Sequence, residues 1–175
     1  ALIHEKTGVR YVVTNRELSE KLDWPEGTEI LVMEGMEEGQ GNVRLPEGSP
    51  KDSAYIIMTS GSTGVPKGVE IAHESAWNTV QDINEKYHVT SADRALAVSA
   101  MDFDLSVYDV FGILGAGGTL VLLPEQERRN ADYWLEQVLK YQITVWNSVP
   151  VLLDMLLIRA ESMKQKLPIR AVMLS

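Results

Sequence analysis

Cysteine is absent from this 175-residue chain, which excludes disulfides and thiolate chemistry and leaves a composition that suits a cytoplasmic protein. Histidine is scarce: His4, His73 and His88 are scattered, with no metal-ligand spacing and no nucleophile-elbow serine beside them, so no metal site is assigned. Positive charge is also short. Sixteen Lys and Arg stand against 25 Asp and Glu, a net charge of −9, which argues against a nucleic-acid groove or an anionic membrane surface as the main partner. No long apolar run exists either. The longest, 112–123, is too short and too glycine-rich to span a bilayer, and the N-terminus lacks a basic-plus-apolar signal.

What is present is ordinary for a globule: 45% hydrophobic and 23% charged residues, enough for one domain or part of one. Apolar runs at 9–14, 29–33, 54–58, 69–72, 95–99, 119–123, 143–146 and 169–174 read as strands. Helices are expected at 16–22 and at 74–87, where Ala76, Trp77, Val80, Ile83 and Tyr87 recur at helical spacing and Trp77 is assigned to the core. Asn130 and Ser148 are read as caps of two further helices, the second with Pro150 in its first turn. This alternation predicts an α/β fold, a mainly parallel sheet layered with helices, with ligands outside the carboxyl ends of the strands. Thr59, the segment around Asp104, Asn147 and Ser175 each follow a predicted strand, so four chain regions can converge on one crevice.

The stretch Thr59-Ser60-Gly61-Ser62-Thr63-Gly64-Val65-Pro66-Lys67-Gly68 concentrates hydroxyls, glycines and one lysine directly behind an apolar strand. A solvent linker is one reading of such a cluster. Strand-like alternation resumes at once after it, which favours the other: glycines that let N–H groups turn toward an anion, four hydroxyl donors and a lysine charge for phosphate oxygens. The P-loop of NTPases is excluded, because Lys67 follows Pro66 and precedes Gly68. Asp104 likewise has two readings. It is either a helix N-cap or a carboxylate on a cavity wall shared with Leu105 and Tyr108, one helical turn on, where a substrate ammonium would balance its charge.

The Thr-Ser-Gly-Ser-Thr-Gly-x-Pro-Lys-Gly core resembles the signature loop of adenylate-forming enzymes. Phe103-Asp104-Leu105-Ser106-Val107-Tyr108-Asp109 is similar to the amino-acid-binding motif of nonribosomal peptide synthetase adenylation domains. The resemblance runs from about residue 9 to the end. It implies that a substrate carboxylate attacks the α-phosphate of ATP, giving an aminoacyl adenylate and pyrophosphate. Thr59, Ser60, Gly61, Ser62, Thr63, Gly64 and Lys67 would hold the phosphates, with Lys67 catalytic. It further implies that Asp104 binds the substrate α-amino group, that Phe103 lies beside its carboxylate, and that Leu105, Tyr108, Asn147, Met173 and Ser175 line the side-chain pocket; for Phe103 a plain core role stays open.

The pocket series Asp, Leu, Tyr, Asn, Met, Ser resembles that of cysteine-activating domains in thiazoline-forming siderophore synthetases, so L-cysteine is the expected substrate. Serine, alanine, valine, an aryl or acyl acid, or a non-catalytic binding module are the alternatives. Expected partners are a peptidyl carrier domain with phosphopantetheine and neighbouring condensation or cyclization domains. The family's Mg²⁺-binding Glu, ribose-binding Asp and C-terminal lysine have no counterpart here. The chain therefore resembles a central part of the large N-terminal subdomain of an adenylate-forming enzyme, with the C-terminal lid subdomain absent, and is expected to lack full adenylation activity alone.

Overall fold

Strands form where the apolar runs stand, and their pairing follows from the length of chain between them. The computed structural model describes residues 7–34, 47–59 and 67–175. The chain divides into two units, Ala1–Glu47 and Gly48–Ser175. In the first, β1 (Tyr11–Thr14) and β2 (Glu29–Val32) pair in parallel across α1 (Arg16–Lys21), with Tyr11 opposite Glu29 and Thr14 opposite Val32. Asn15 starts α1, its side chain accepting the Leu18 N–H at 2.8 Å.

In the second unit, β3 (Ser53–Thr59) and β4 (Lys67–Ala72) form an antiparallel hairpin. This departs from a single, mainly parallel sheet. Only seven residues, 60–66, separate the two strands, and a parallel crossover needs a dozen or more. The parallel sheet itself has four strands in the order β6-β5-β7-β8: β5 (Arg94–Leu96), β6 (Thr119–Val121), β7 (Val145–Ser148) and β8 (Ala171–Leu174). Helices cover both faces, so all four residues of β7 are buried.

Alternate residues of these strands feed opposite cores. Leu96 and Trp146 face α4 (Ala131–Tyr141) and α5 (Pro150–Ser162), joining Trp134, Val138, Ile143 and Leu156 in one cluster. Trp134 and Trp146 are fully buried, their ring centres 6.3 Å apart and tilted by 59°. Ala95, Val145 and Ala171 face the other way, toward Val80 of α2 (His73–Tyr87) and toward Tyr108 and Ile113. The last two belong to a short α-turn, α3 (Leu105–Val107), that widens into a π-helical turn at Tyr108–Ile113.

Two local expectations are corrected. Trp77 is 57% exposed, because Ala76, Val80, Ile83 and Tyr87 form the stripe that α2 turns inward and Trp77 sits on its flank. Ser148 does not cap α5: its hydroxyl accepts from Trp146 Nε1 and donates to the Val149 carbonyl, while Pro150 opens the helix without a donor to satisfy. Asn130 does cap α4, accepting from the N–H groups of Asp132 and Tyr133. Among the described residues no helix is long and apolar enough to cross a membrane.

Candidate nucleotide and substrate site

Thr59 and Lys67 are direct cross-strand partners at the mouth of the β3–β4 hairpin, and the Thr59 hydroxyl donates to the Lys67 carbonyl at 3.3 Å. Ser60, Gly61, Ser62, Thr63 and Gly64 lie outside the described residues. The antiparallel register thus brings the two described ends of the hydroxyl-rich stretch together: one hydroxyl and one exposed ammonium.

Beside Thr59 opens a cavity of about 850 Å³. One wall is the hairpin, through Tyr55, Ile57 and Thr59; the other is the segment after β5, through Phe103, Asp104 and Leu105. Arg128 and Arg129, from the turn before α4, close a third side. This size and mixed lining suit a small ligand with charged ends.

The Phe103–Leu105 corner is held by its own backbone and by Ser106. The Ser106 hydroxyl donates within reach of the Met101 carbonyl, at 3.2 Å, and the Phe103 carbonyl, at 2.7 Å. Phe103 N–H bonds the Ala100 carbonyl and Val107 N–H bonds that of Asp104. Asp104 occupies the N-cap position with helical backbone angles, yet its side chain makes no capping bond. Of its two readings, the cap is therefore not realised. Its carboxylate is exposed on the cavity wall and makes no hydrogen bond or ion pair among the described residues. Across the cavity, burial raises the Tyr55 hydroxyl's pKa and the Asp104 charge raises it further.

Phe103 is 45% exposed and lines the cavity instead of entering a core. Tyr108 does not share that wall with Asp104 and Leu105. It is buried against Val80 and Ile113, and its hydroxyl donates to Asn84 Oδ1 at 2.9 Å, while Asn84 donates to the Gly112 carbonyl. Gly112 makes this possible, since a Cβ there would run into the Tyr108 ring. Burial first, then the nearby Asp109 and Asp93 charges, pushes the Tyr108 hydroxyl up to about 12.

Met173 packs on the same cluster as Tyr108, and Ser175 is exposed just after β8. Asn147, 3% exposed, donates to the Leu105 carbonyl at 3.0 Å and to Asp109 Oδ1 at 2.9 Å. The structure thus gathers Thr59, Phe103, Asp104 and Leu105 around one cavity, and sets Tyr108, Asn147 and Met173 in the packing that carries the Asp104 segment.

Sequence reasoning passed over five residues here. Tyr55 lies in an apolar strand and looked like core. Ser106 and Asp109 sit inside the motif without a role. Arg128 and Arg129 follow Glu125 as an unremarked basic pair; Arg128 bonds the Ser99 carbonyl and pairs with Glu125. Among the described residues no group of three or more acidic or histidine side chains is arranged to hold a metal ion.

Comparison with known proteins gives one family. The AMP-binding enzyme family matches residues 2–174. The chain is 52% identical over 129 residues, 73% of its length, to the anguibactin system regulator of Vibrio anguillarum, and 50% identical over 127 residues to pyochelin synthetase PchE of Pseudomonas aeruginosa. It spans only 12% and 9% of those proteins' lengths. Among solved structures, the nonribosomal peptide synthetase FmoA3 superposes with a TM-score of 0.84 at 43% identity, over 91% of this chain and 17% of that one. FmoA3 has also been solved with α-methyl-L-serine-AMP and with AMPPNP bound.

Proposed function

Since the chain belongs to the AMP-binding enzyme family, as part of a nonribosomal peptide synthetase adenylation domain, we propose that the protein containing it activates an amino acid with ATP. In this reaction a substrate carboxylate oxygen attacks the α-phosphorus, the α–β P–O bond breaks, and pyrophosphate leaves. The thiol of a carrier domain's phosphopantetheine then attacks the aminoacyl carbonyl and releases AMP. Lys67 and Thr59, with Ser60, Gly61, Ser62, Thr63 and Gly64, hold the phosphates and offset the charge that moves onto pyrophosphate. The proposal gives this chain no ligand of the Mg²⁺ that accompanies ATP.

One observation carries the amino-acid reading: the Asp104 carboxylate stands on the cavity wall with no capping bond and no cationic partner among the described residues. A substrate ammonium supplies that partner, and an aryl or acyl acid does not.

The proposed substrate is L-cysteine. Leu105 on the cavity wall, with Met173 packed behind that segment, leaves room only for a small side chain, and the exposed Ser175 after β8 offers a hydroxyl. Both N–H groups of Asn147 are committed to Leu105 and Asp109, so its Oδ1 is the atom left to accept a thiol hydrogen. The adenylate of a small amino acid bound by FmoA3 is in keeping with this choice. The product is passed to neighbouring condensation or cyclization domains, in siderophore assembly in the cytoplasm. Pyrophosphate exchange with all twenty amino acids and an aryl acid, on the whole adenylation domain, tests it. Preference for cysteine is expected; preference for a large aromatic or basic residue overturns the pocket assignment, and preference for an aryl acid overturns the role of Asp104.

A further inference from the structure

Asp109 lies outside every role assigned above, yet it is 2% exposed and its Oδ2 is buried with no hydrogen-bond partner among the described residues. A buried, half-satisfied carboxyl costs free energy, so it is kept where its other oxygen does something for the fold or the site. Its other oxygen explains what the group does in this position. Oδ1 accepts from Asn147 Nδ2 at 2.9 Å, and the same amide nitrogen donates its second hydrogen to the Leu105 carbonyl at 3.0 Å. Asn147 comes from the parallel sheet, Asp109 from the π-helical turn, and Leu105 from the first turn beside the cavity. An amide that bonded Leu105 alone would keep a rotational freedom that a second acceptor removes.

We infer that Asp109 is a positioning residue: by fixing the Asn147 amide it sets the Leu105 carbonyl, and with it the place of the Asp104 carboxylate in the cavity. The inference rests on the amino-acid reading of the site. Among the described residues Asp109 does not line the cavity and reaches it only through Asn147 and Leu105, on the Asp104 side, so its effect is directed to the amino acid and not to ATP. An error of an ångström at a charge-pairing group is enough to weaken binding severely.

The test compares Asp109→Leu and Asp109→Asn in the whole adenylation domain. Leucine fills the space without an acceptor, whereas asparagine keeps an oxygen for Asn147. In pyrophosphate exchange, Asp109→Leu is expected to raise the KM for the amino acid about tenfold or more while the KM for ATP stays within about twofold, and Asp109→Asn is expected to restore most of the affinity. Equal losses for both substrates, or no rescue by asparagine, overturn the inference. Hydrogen exchange supplies a readout independent of activity: faster exchange confined to the amides of 103–107 in Asp109→Leu supports it, and unchanged or uniformly faster exchange overturns it. A wild-type domain without amino-acid-dependent exchange overturns the amino-acid reading instead, and hydrogen exchange still decides whether Asp109 positions the segment.

Discussion

Arg170 grips both carboxylate oxygens of Asp93, Nε to Oδ1 at 2.9 Å and Nη2 to Oδ2 at 2.6 Å. Thr144 donates to Oδ1 and the Thr90 N–H to Oδ2, while Arg170 also reaches the carbonyls of Tyr87 and His88. Asp93, Thr144 and Arg170 each stand one residue before a parallel strand, so this network knots the amino ends of β5, β7 and β8, opposite the candidate site. The Arg170 bonds, more than any other influence, hold the Asp93 carboxyl down at about 2. A depressed carboxylate pKa contributes stability above the unfolded value near 4 and loses it as pH falls through about 2. Asp93→Asn is therefore expected to lower unfolding free energy by about 2 kcal/mol at neutral pH, with the deficit vanishing near pH 2. Urea unfolding across that range checks it; a deficit that persists at the acid end would show that packing, not charge, is at stake.

Asp109 predicts a slope of the opposite sign. Burial pushes its carboxyl up to about 7, against the opposing pull of the Asn147 hydrogen bond. Between about pH 4 and 7 the folded state keeps a proton that the unfolded chain has released, so this group's contribution to stability falls as pH rises and levels off above 7. Asp109→Asn should flatten that part of the stability curve, by about 4 kcal/mol at most. An unaltered curve would mean that the carboxyl is ionised in the fold.

Asp104→Ala is expected to weaken every amino acid together, since it removes the partner of a group all of them carry. The loss should be about 2–3 kcal/mol, some 30- to 150-fold in kcat/KM, with the KM for ATP little changed. Ser175→Ala, by contrast, should mainly shift the choice among small side chains, within roughly 1–3 kcal/mol. Steady-state exchange with cysteine, serine, alanine and valine separates the two patterns.

Lys67→Ala in the whole domain should lower the rate of amino-acid-dependent pyrophosphate exchange about tenfold or more, on the order of 1.4 kcal/mol. Exchange that is unchanged at saturating ATP would remove Lys67 from the phosphate site.

The sequence announced the strands and helices of the parallel sheet well, because each apolar run there is bounded by a cap or a turn residue; Asn130 is the plainest case. The hairpin was legible as two strands but not as a separate sheet, since its direction depends on chain length between strands and not on periodicity. Within the site, the cavity-facing corner of Phe103, Asp104 and Leu105 follows from local turn chemistry. The placement of Tyr108 does not. Its direction is decided by the π-helical widening and by Gly112 meeting its ring, neither of which the 3.6-residue rhythm encodes. Asn147 was visible as a polar residue in a strand, but its two acceptors lie about forty positions earlier in the chain and are known only once the sheet is closed.

The tilted pair formed by Trp134 and Trp146 has an optical consequence. Two indoles at 6.3 Å, each anchored through its ring N–H, one to the Glu127 carbonyl and one to Ser148, couple their electronic transitions and give a chiral signal in the near ultraviolet. Trp77, on the surface of α2, emits from a watery setting and adds little to that signal. Circular dichroism near the indole bands thus reports the joining of β7 to α4, while fluorescence of the exposed indole senses what settles against α2, and the two can be followed in one cuvette without a label.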